Sequence, residues 1–149
     1  MDTQTTIVVP PGGGKAVPRP DTGGTVTLKL TRESTGGAIT VWESNRAAGD
    51  TGGPGLHSQP GFDEVFYVLA GEYLFTIDGP EFPAPAGTLA FIPRGAFHTF
   101  ASTGRVDGRL LAFAVPGGVE DFFEEMAAAD ASRSQDVATR HGVVFVSPD

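Results

Sequence analysis

Strand-length apolar runs, each closed by Gly, Pro or Asp, succeed one another through most of this chain, and that rhythm constrains its fold more than any other feature. "TVTLKL" (Thr25–Leu30), "AITVWE" (residues 38–43), "EVFYVLAG", "EYLFTIDG", "GTLAFIPRG", "AFHTFA" and "GRLLAFAVP" all lie before residue 116. Each is too short for a helix and rich in β-branched or aromatic residues. Seven such segments predict an all-β domain, a sandwich or barrel assembled from hairpins. The 21 glycines and 12 prolines are dispersed between the runs, as repeated tight turns require. "TTIVVP" (residues 5–10) reads as a further short strand, and "PGGGKAVPRPDTGG" after it as a loop. "GGGK" is followed by Ala16 rather than Ser or Thr and opens no helix, so it reads as part of an arm, not a phosphate loop.

The pattern changes after residue 116. In "GVEDFFEEMAAAD", Val119, Phe122, Phe123 and Met126 fall at i, i+3, i+4 and i+7, one apolar face of a helix. Glu120, Asp121, Glu124 and Glu125 fill the polar face, the early acids suiting the positive helix N-terminus. "SQDVATRHG" predicts a second short helix, with Ser134 as N-cap, His141 complementing the dipole and Gly142 as the stop. Residues 143–146, "VVFV", read as a last strand. At 149 residues the chain is expected to be one domain: an N-terminal arm (1–24), a barrel core (25–116) and a C-terminal helical segment (117–149).

The net charge of −8 argues against nucleic acid and anionic membrane partners, which need a cationic face. With no cysteine, thiolate metal ligands are excluded. "MDTQTTIVVP" lacks the cationic start and long apolar core of a secretion signal, and no apolar run approaches the ~20 residues that span a bilayer, so a cytoplasmic location is expected.

A histidine, a glutamine and a carboxylate stand at fixed intervals in "GLHSQPGFDEVFYVLAGE": His57, Gln59 and Glu64. Residues two apart on a strand share a face, so His57 and Gln59 project together if residues 56–59 are extended. Glu64 shares a face with Phe66 and Val68 in a run apolar on both faces, so its carboxylate is expected to be buried and to need a partner. If the two strands are antiparallel neighbours, Glu64 meets the His57/Gln59 pair. His98 follows the "PRG" turn (residues 93–95), which is expected to close another hairpin. Two imidazoles, an amide oxygen and a carboxylate lining one interior suit a divalent transition metal, Ni, Mn, Fe, Co or Zn, with positions left open for water or substrate. Phe66, Phe100, Phe113 and Phe122 are the expected walls for an apolar, flat aromatic ligand.

On these residues the chain resembles the cupins, whose motifs run G-x5-H-x-H-x(3–4)-E-x6-G and G-x5-P-x-G-x2-H-x3-N. His57, Glu64 and Gly71 match the first, and Gly87, Pro93, Gly95 and His98 the second. The resemblance covers residues 25–115 and extends weakly through "VPGGVEDFFEE", which is similar to small quercetinase-like and polyketide-associated cupins. It implies an all-β double-stranded β-helix, the jelly-roll barrel, with one or two short C-terminal helices. Two positions depart: Gln59 stands for the second histidine of the first motif, and Ser102 for the asparagine that closes the second. Glutamine can ligate only through its carbonyl oxygen, a weaker donor than imidazole. Alternatively Gln59 turns away and leaves a set of two histidines and one carboxylate.

The resemblance further implies a metal-dependent dioxygenase acting on a phenolic or enolic aromatic molecule. Glu64 would take the substrate proton as general base, with dioxygen as second substrate. A non-oxidative cyclase or isomerase of a polyketide-like molecule, and a non-catalytic small-molecule binder, are the alternatives. Small cupins pair through sheet edges, so a homodimer is expected, with the N-terminal arm free to cross to the neighbour.

Overall fold

The computed structural model describes residues 5–147, and every strand pairing in it is antiparallel. The strands, in chain order, are β1 (Lys15–Pro18), β2 (Thr25–Leu30), β3 (Thr40–Arg46), β4 (His57–Ser58), β5 (Asp63–Ala70), β6 (Glu72–Ile77), β7 (Glu81–Pro85), β8 (Leu89–Ile92), β9 (His98–Ser102), β10 (Gly108–Val115) and β11 (Val144–Phe145). Two helices follow β10: α1 (Val119–Ala128) and α2 (Ser134–Arg140). The strands form a six-stranded sheet in the order β1-β2-β3-β10-β5-β8 and a five-stranded sheet in the order β11-β4-β9-β6-β7. This is the sandwich expected of the seven runs, in the jelly-roll layout that the family resemblance implies. Among the described residues no helix is long and apolar enough to cross a membrane.

Alternation along the strands builds the core. On β10, Leu110, Ala112 and Ala114 are buried, and on β5 Glu64, Phe66 and Val68, while Tyr67 and Leu69 on the other face of β5 are exposed. The expectation that β5 is covered on both faces is therefore wrong: its outer face is open. Tyr73 and Phe75 of β6 supply the facing layer, and one hydrophobic cluster runs through both sheets and α1. Val119, Phe122, Phe123 and Met126 are all buried, as their spacing requires.

Several local expectations need correction. Residues 5–10 form no strand, whereas Lys15–Pro18, read as loop, is the edge strand β1. Val17 pairs with Val26 and both are buried, and Pro18 is tolerated because an edge strand needs no further donor there. The arm thus ends as part of the sheet, tied to α1 by a 2.7 Å Lys15–Glu124 ion pair. Ser134 is the first residue of α2, not its N-cap: a 3-10 turn over Ala131–Arg133 leads the chain in, and the Ser134 hydroxyl donates backward to the Asp130 carbonyl. The turn at residues 93–95 does not close a hairpin within one sheet but carries the chain from β8 in one sheet to β9 in the other.

Glu120 departs furthest from expectation. Placed on the polar face by its spacing, it is 5% exposed and ties three segments together. One oxygen accepts from the Arg32 amide at 2.6 Å, and the other from the Gly118 amide at 3.1 Å and from the Thr40 hydroxyl. A carboxylate at a helix start gains from the macrodipole, and three donors offset its desolvation.

Candidate metal centre

β4 and β9 meet at one register pair, His57 opposite His98, and their rings lie 4.3 Å apart between centroids. Each imidazole is held the same way. His57 Nδ1 lies 2.7 Å from the Gly55 carbonyl oxygen, and His98 Nδ1 lies 3.1 Å from that of Ala96. A carbonyl only accepts, so both Nδ1 atoms carry hydrogen and each Nε2 is left as the free face of its ring. Both rings are buried, at 6% and 1% exposure.

Glu64 arrives by a route the sequence did not suggest. β4 is not paired with β5. The two belong to opposite sheets, so the carboxylate reaches across the sandwich rather than across a hairpin. Its Oε2 lies 2.9 Å from His98 Nε2. Neither atom has a well-directed hydrogen bond, and the buried Gln59 Oε1 has no partner either. Burial pulls the His98 pKa down, but the neighbouring Glu64 carboxylate outweighs it and holds the ring above its ordinary value. His57 is pushed down to about 4 by burial first and by His98 second, so at neutral pH it is an uncharged imidazole. A positive charge shared between Glu64 and His98 is what stabilises this cluster, whether proton or cation.

The donor chemistry fits a divalent ion. Glu64 Oε2 and His98 Nε2 stand at the separation of two adjacent ligands, about 3 Å for ligands ~2.1 Å from one centre. Gln59 adds an orphaned oxygen. The set is a pair with two neighbours rather than a closed triad: as the side chains stand, no three His, Cys, Asp or Glu among the described residues are gathered into an ion-holding group, and His57 and Gln59 flank the Glu64–His98 pair. The four side chains nonetheless line a single cavity that opens to the surface.

Aromatic rings form the rest of its wall. Phe66, Phe100 and Phe122 line it as expected, joined by Trp42, Phe123 and Phe145. Phe113 does not: it alternates with the buried Ala112 and Ala114 and so lies on the outer face of β10. Phe145 was missed because β11 brings it into register with His57, a long-range pairing that no local pattern encodes. His141 stays outside, beside Glu125 at 3.2 Å and edge-on to Phe122. Arg19 and Arg46, also lining the cavity, were not anticipated. The available signal for Arg46 was its place at i+4 from Trp42 on one strand, which puts both on the inner face.

Residues 45–114 match the family described as Cupin domain. A curated relative, the oxalate-binding protein of Thermotoga maritima, is 38% identical over 58 residues. That match covers 39% of this chain and 48% of the relative, so the chain spans about half the length of the curated protein it matches. Among solved structures, a predicted oxalate decarboxylase from Thermotoga maritima superposes with a TM-score of 0.63 at 24% identity, covering 74% of this chain and 99% of that one. The polyketide cyclase RemF from Streptomyces resistomycificus gives 0.61 at 21% identity, covering 74% and 80%. An RmlC-like cupin from Shewanella frigidimarina gives 0.63 at 16% identity, covering 80% and 99%. At these identities the superpositions establish the shared fold alone.

Proposed function

We propose that this chain, whose residues 45–114 match the Cupin domain family and whose fold is that of solved cupins, is a metal-dependent dioxygenase of a phenolic or enolic aromatic small molecule, with Glu64 as general base. The observation that carries this reading is the buried 2.9 Å Glu64–His98 contact at the end of an aromatic-walled cavity. A divalent ion held by His57, Gln59, Glu64 and His98 would supply Lewis acidity, making a substrate hydroxyl easier to deprotonate. Glu64 accepts that proton, and His98, 2.9 Å away, stabilises the carboxylate before the transfer. The rings of Phe66, Phe100 and Phe122 hold a flat substrate and keep water from the deprotonated form. Both atoms of dioxygen enter the product, so no external reductant is needed.

The same base supports a second reading, enolisation without oxidation in a cyclase or isomerase, because a carboxylate beside an imidazole needs no oxidant to move a proton. The oxalate-binding relative supports a third, a non-catalytic binder of small acids. Oxygen-electrode assays on flavonols and hydroxylated aromatic polyketides separate them. Substrate-dependent oxygen uptake that Glu64→Gln abolishes is expected. Product formation without uptake favours the second reading, and saturable binding without turnover the third.

A homodimer belongs to the same proposal. The surface that supports it is the outer face of β5, β8 and β10, where Phe91 pairs with Val65 and Val65 with Phe113. This continuous apolar row is a different surface from the sheet edges.

A further inference from the structure

The cavity has a polar end that proton transfer at Glu64 does not use. Along β3 the inward positions are Trp42, Ser44 and Arg46, all three lining the cavity and rising about 7 Å per pair of residues. Arg46 is therefore a cation delivered to the interior by strand alternation, with its side chain only 5% exposed. The second arginine on the cavity provides an internal contrast. Arg19 is the better matched: its fork meets Asp21 through two bonds of 2.9 and 2.6 Å, both side chains are largely buried, and the guanidinium lies 4.3 Å over the Phe123 ring. Arg46 has one contact to Asp50, at 3.1 Å, and a long 3.4 Å approach to Thr22 Oγ1. The Asp50 side chain is 38% exposed, and its other oxygen is taken by the Gly52 amide at 2.8 Å. A buried guanidinium matched by one solvated carboxylate oxygen retains donors for a second acid.

The guanidinium is also flanked by two loops: a Cβ at Gly52 would come a tight 3.0 Å from its Nη1, and one at Gly23 or Gly24 an ordinary 3.4 Å. On a chain of net charge −8, an anionic ligand enters only where a fixed cation offsets the surrounding field. Resting on the active-site reading above, we infer that Arg46 is the specificity-determining residue of this cavity and that its ligand is an aromatic acid. The carboxylate would sit on Arg46, and the ring between the aromatic walls facing the Glu64–His98 end. Asp50 occupies the carboxylate position until the ligand displaces it.

Trp42 is the only tryptophan and lines the cavity beside Arg46, so its fluorescence reports occupancy directly. Titration with benzoate and with its neutral isostere benzamide is expected to show saturable binding of benzoate at least about tenfold tighter, as a charge-assisted fork gives. Arg46→Gln should erase that preference. Arg46→Lys should keep its sign but weaken it several-fold, because the planar fork is lost. Asp50→Asn, on an exposed loop, should tighten benzoate binding by removing the competing acid. The preference should persist in His98→Ala, whose ion ligands are broken, so loss of the metal reading leaves this one standing. Equal affinity for the two probes, no saturable benzoate binding by the wild-type protein, a preference that survives Arg46→Gln, or unchanged binding in Asp50→Asn would overturn the inference.

Discussion

At the scale of single residues, one buried positive charge is the balance point of the site. His98 and Glu64 share it, and the facing atoms would repel as two lone pairs if it were withdrawn. Glu64→Gln keeps the side-chain volume and removes the base. It is expected to leave the thermal transition nearly in place while lowering kcat on the order of 100-fold or more. Comparable loss of both would mean that Glu64 is structural. Tyr73 tests burial without chemistry. Its hydroxyl is buried with no hydrogen-bond partner, and desolvation pushes its pKa up to about 12. The unfolded chain releases this proton near pH 10, while the folded one holds it to about 12, so the folded state loses stability as pH rises through that window. Tyr73→Phe should flatten the decline, measured as melting temperature from about pH 9, below that window, to about pH 11, inside it. An identical decline in the variant would show that the hydroxyl is solvated.

At the scale of elements, α1 is fastened by a carboxylate that looks from the sequence like a surface acid. Glu120→Ala removes the acceptor for the Arg32 and Gly118 amides and for Thr40. It should cost about 3 kcal/mol, read from denaturant midpoints, since buried donors are left unpaired. A cost near zero would place Glu120 in solvent. The segment before β4 is tested by Gly53→Ala, because a Cβ there would lie 2.0 Å from the Phe100 carbonyl oxygen of β9. That variant should displace His57 from His98 and weaken retention of any bound ion. Unchanged retention would show that the segment has slack. These two cases mark what was legible in the sequence. Period-two and period-3.6 patterns are local, so the strands and α1 could be read directly, and the motif spacing brought the two histidines and Glu64 to one cavity. The pairing of β11 with β4, the crossing of Glu64 between sheets, the outward turn of Phe113 and the burial of Glu120 are set by tertiary register, which no short window contains. β1 was hidden because a Gly- and Pro-rich composition describes the turns around an edge strand as well as it describes a loop.

At the scale of the whole molecule, polar groups are collected inside the sandwich, while one outer face is left apolar. Leu89 and Phe91 are 61% and 57% exposed, and Tyr67, Leu69 and Val115 continue the patch. Patches of this kind mark association sites. Sedimentation at micromolar concentration should give a dimer, and Phe91→Glu a monomer with an unchanged cavity. A monomeric wild-type protein would leave this face unexplained. The central claim is that the His57, Gln59, Glu64 and His98 cavity holds a divalent ion, and elemental analysis of freshly purified protein alongside a His57→Ala/His98→Ala double variant tests it most directly. The account predicts close to one transition-metal ion per wild-type chain and essentially none in the variant. Equal metal content in the two proteins, or none in the wild type after reloading with Ni, Mn, Fe, Co or Zn, would contradict it.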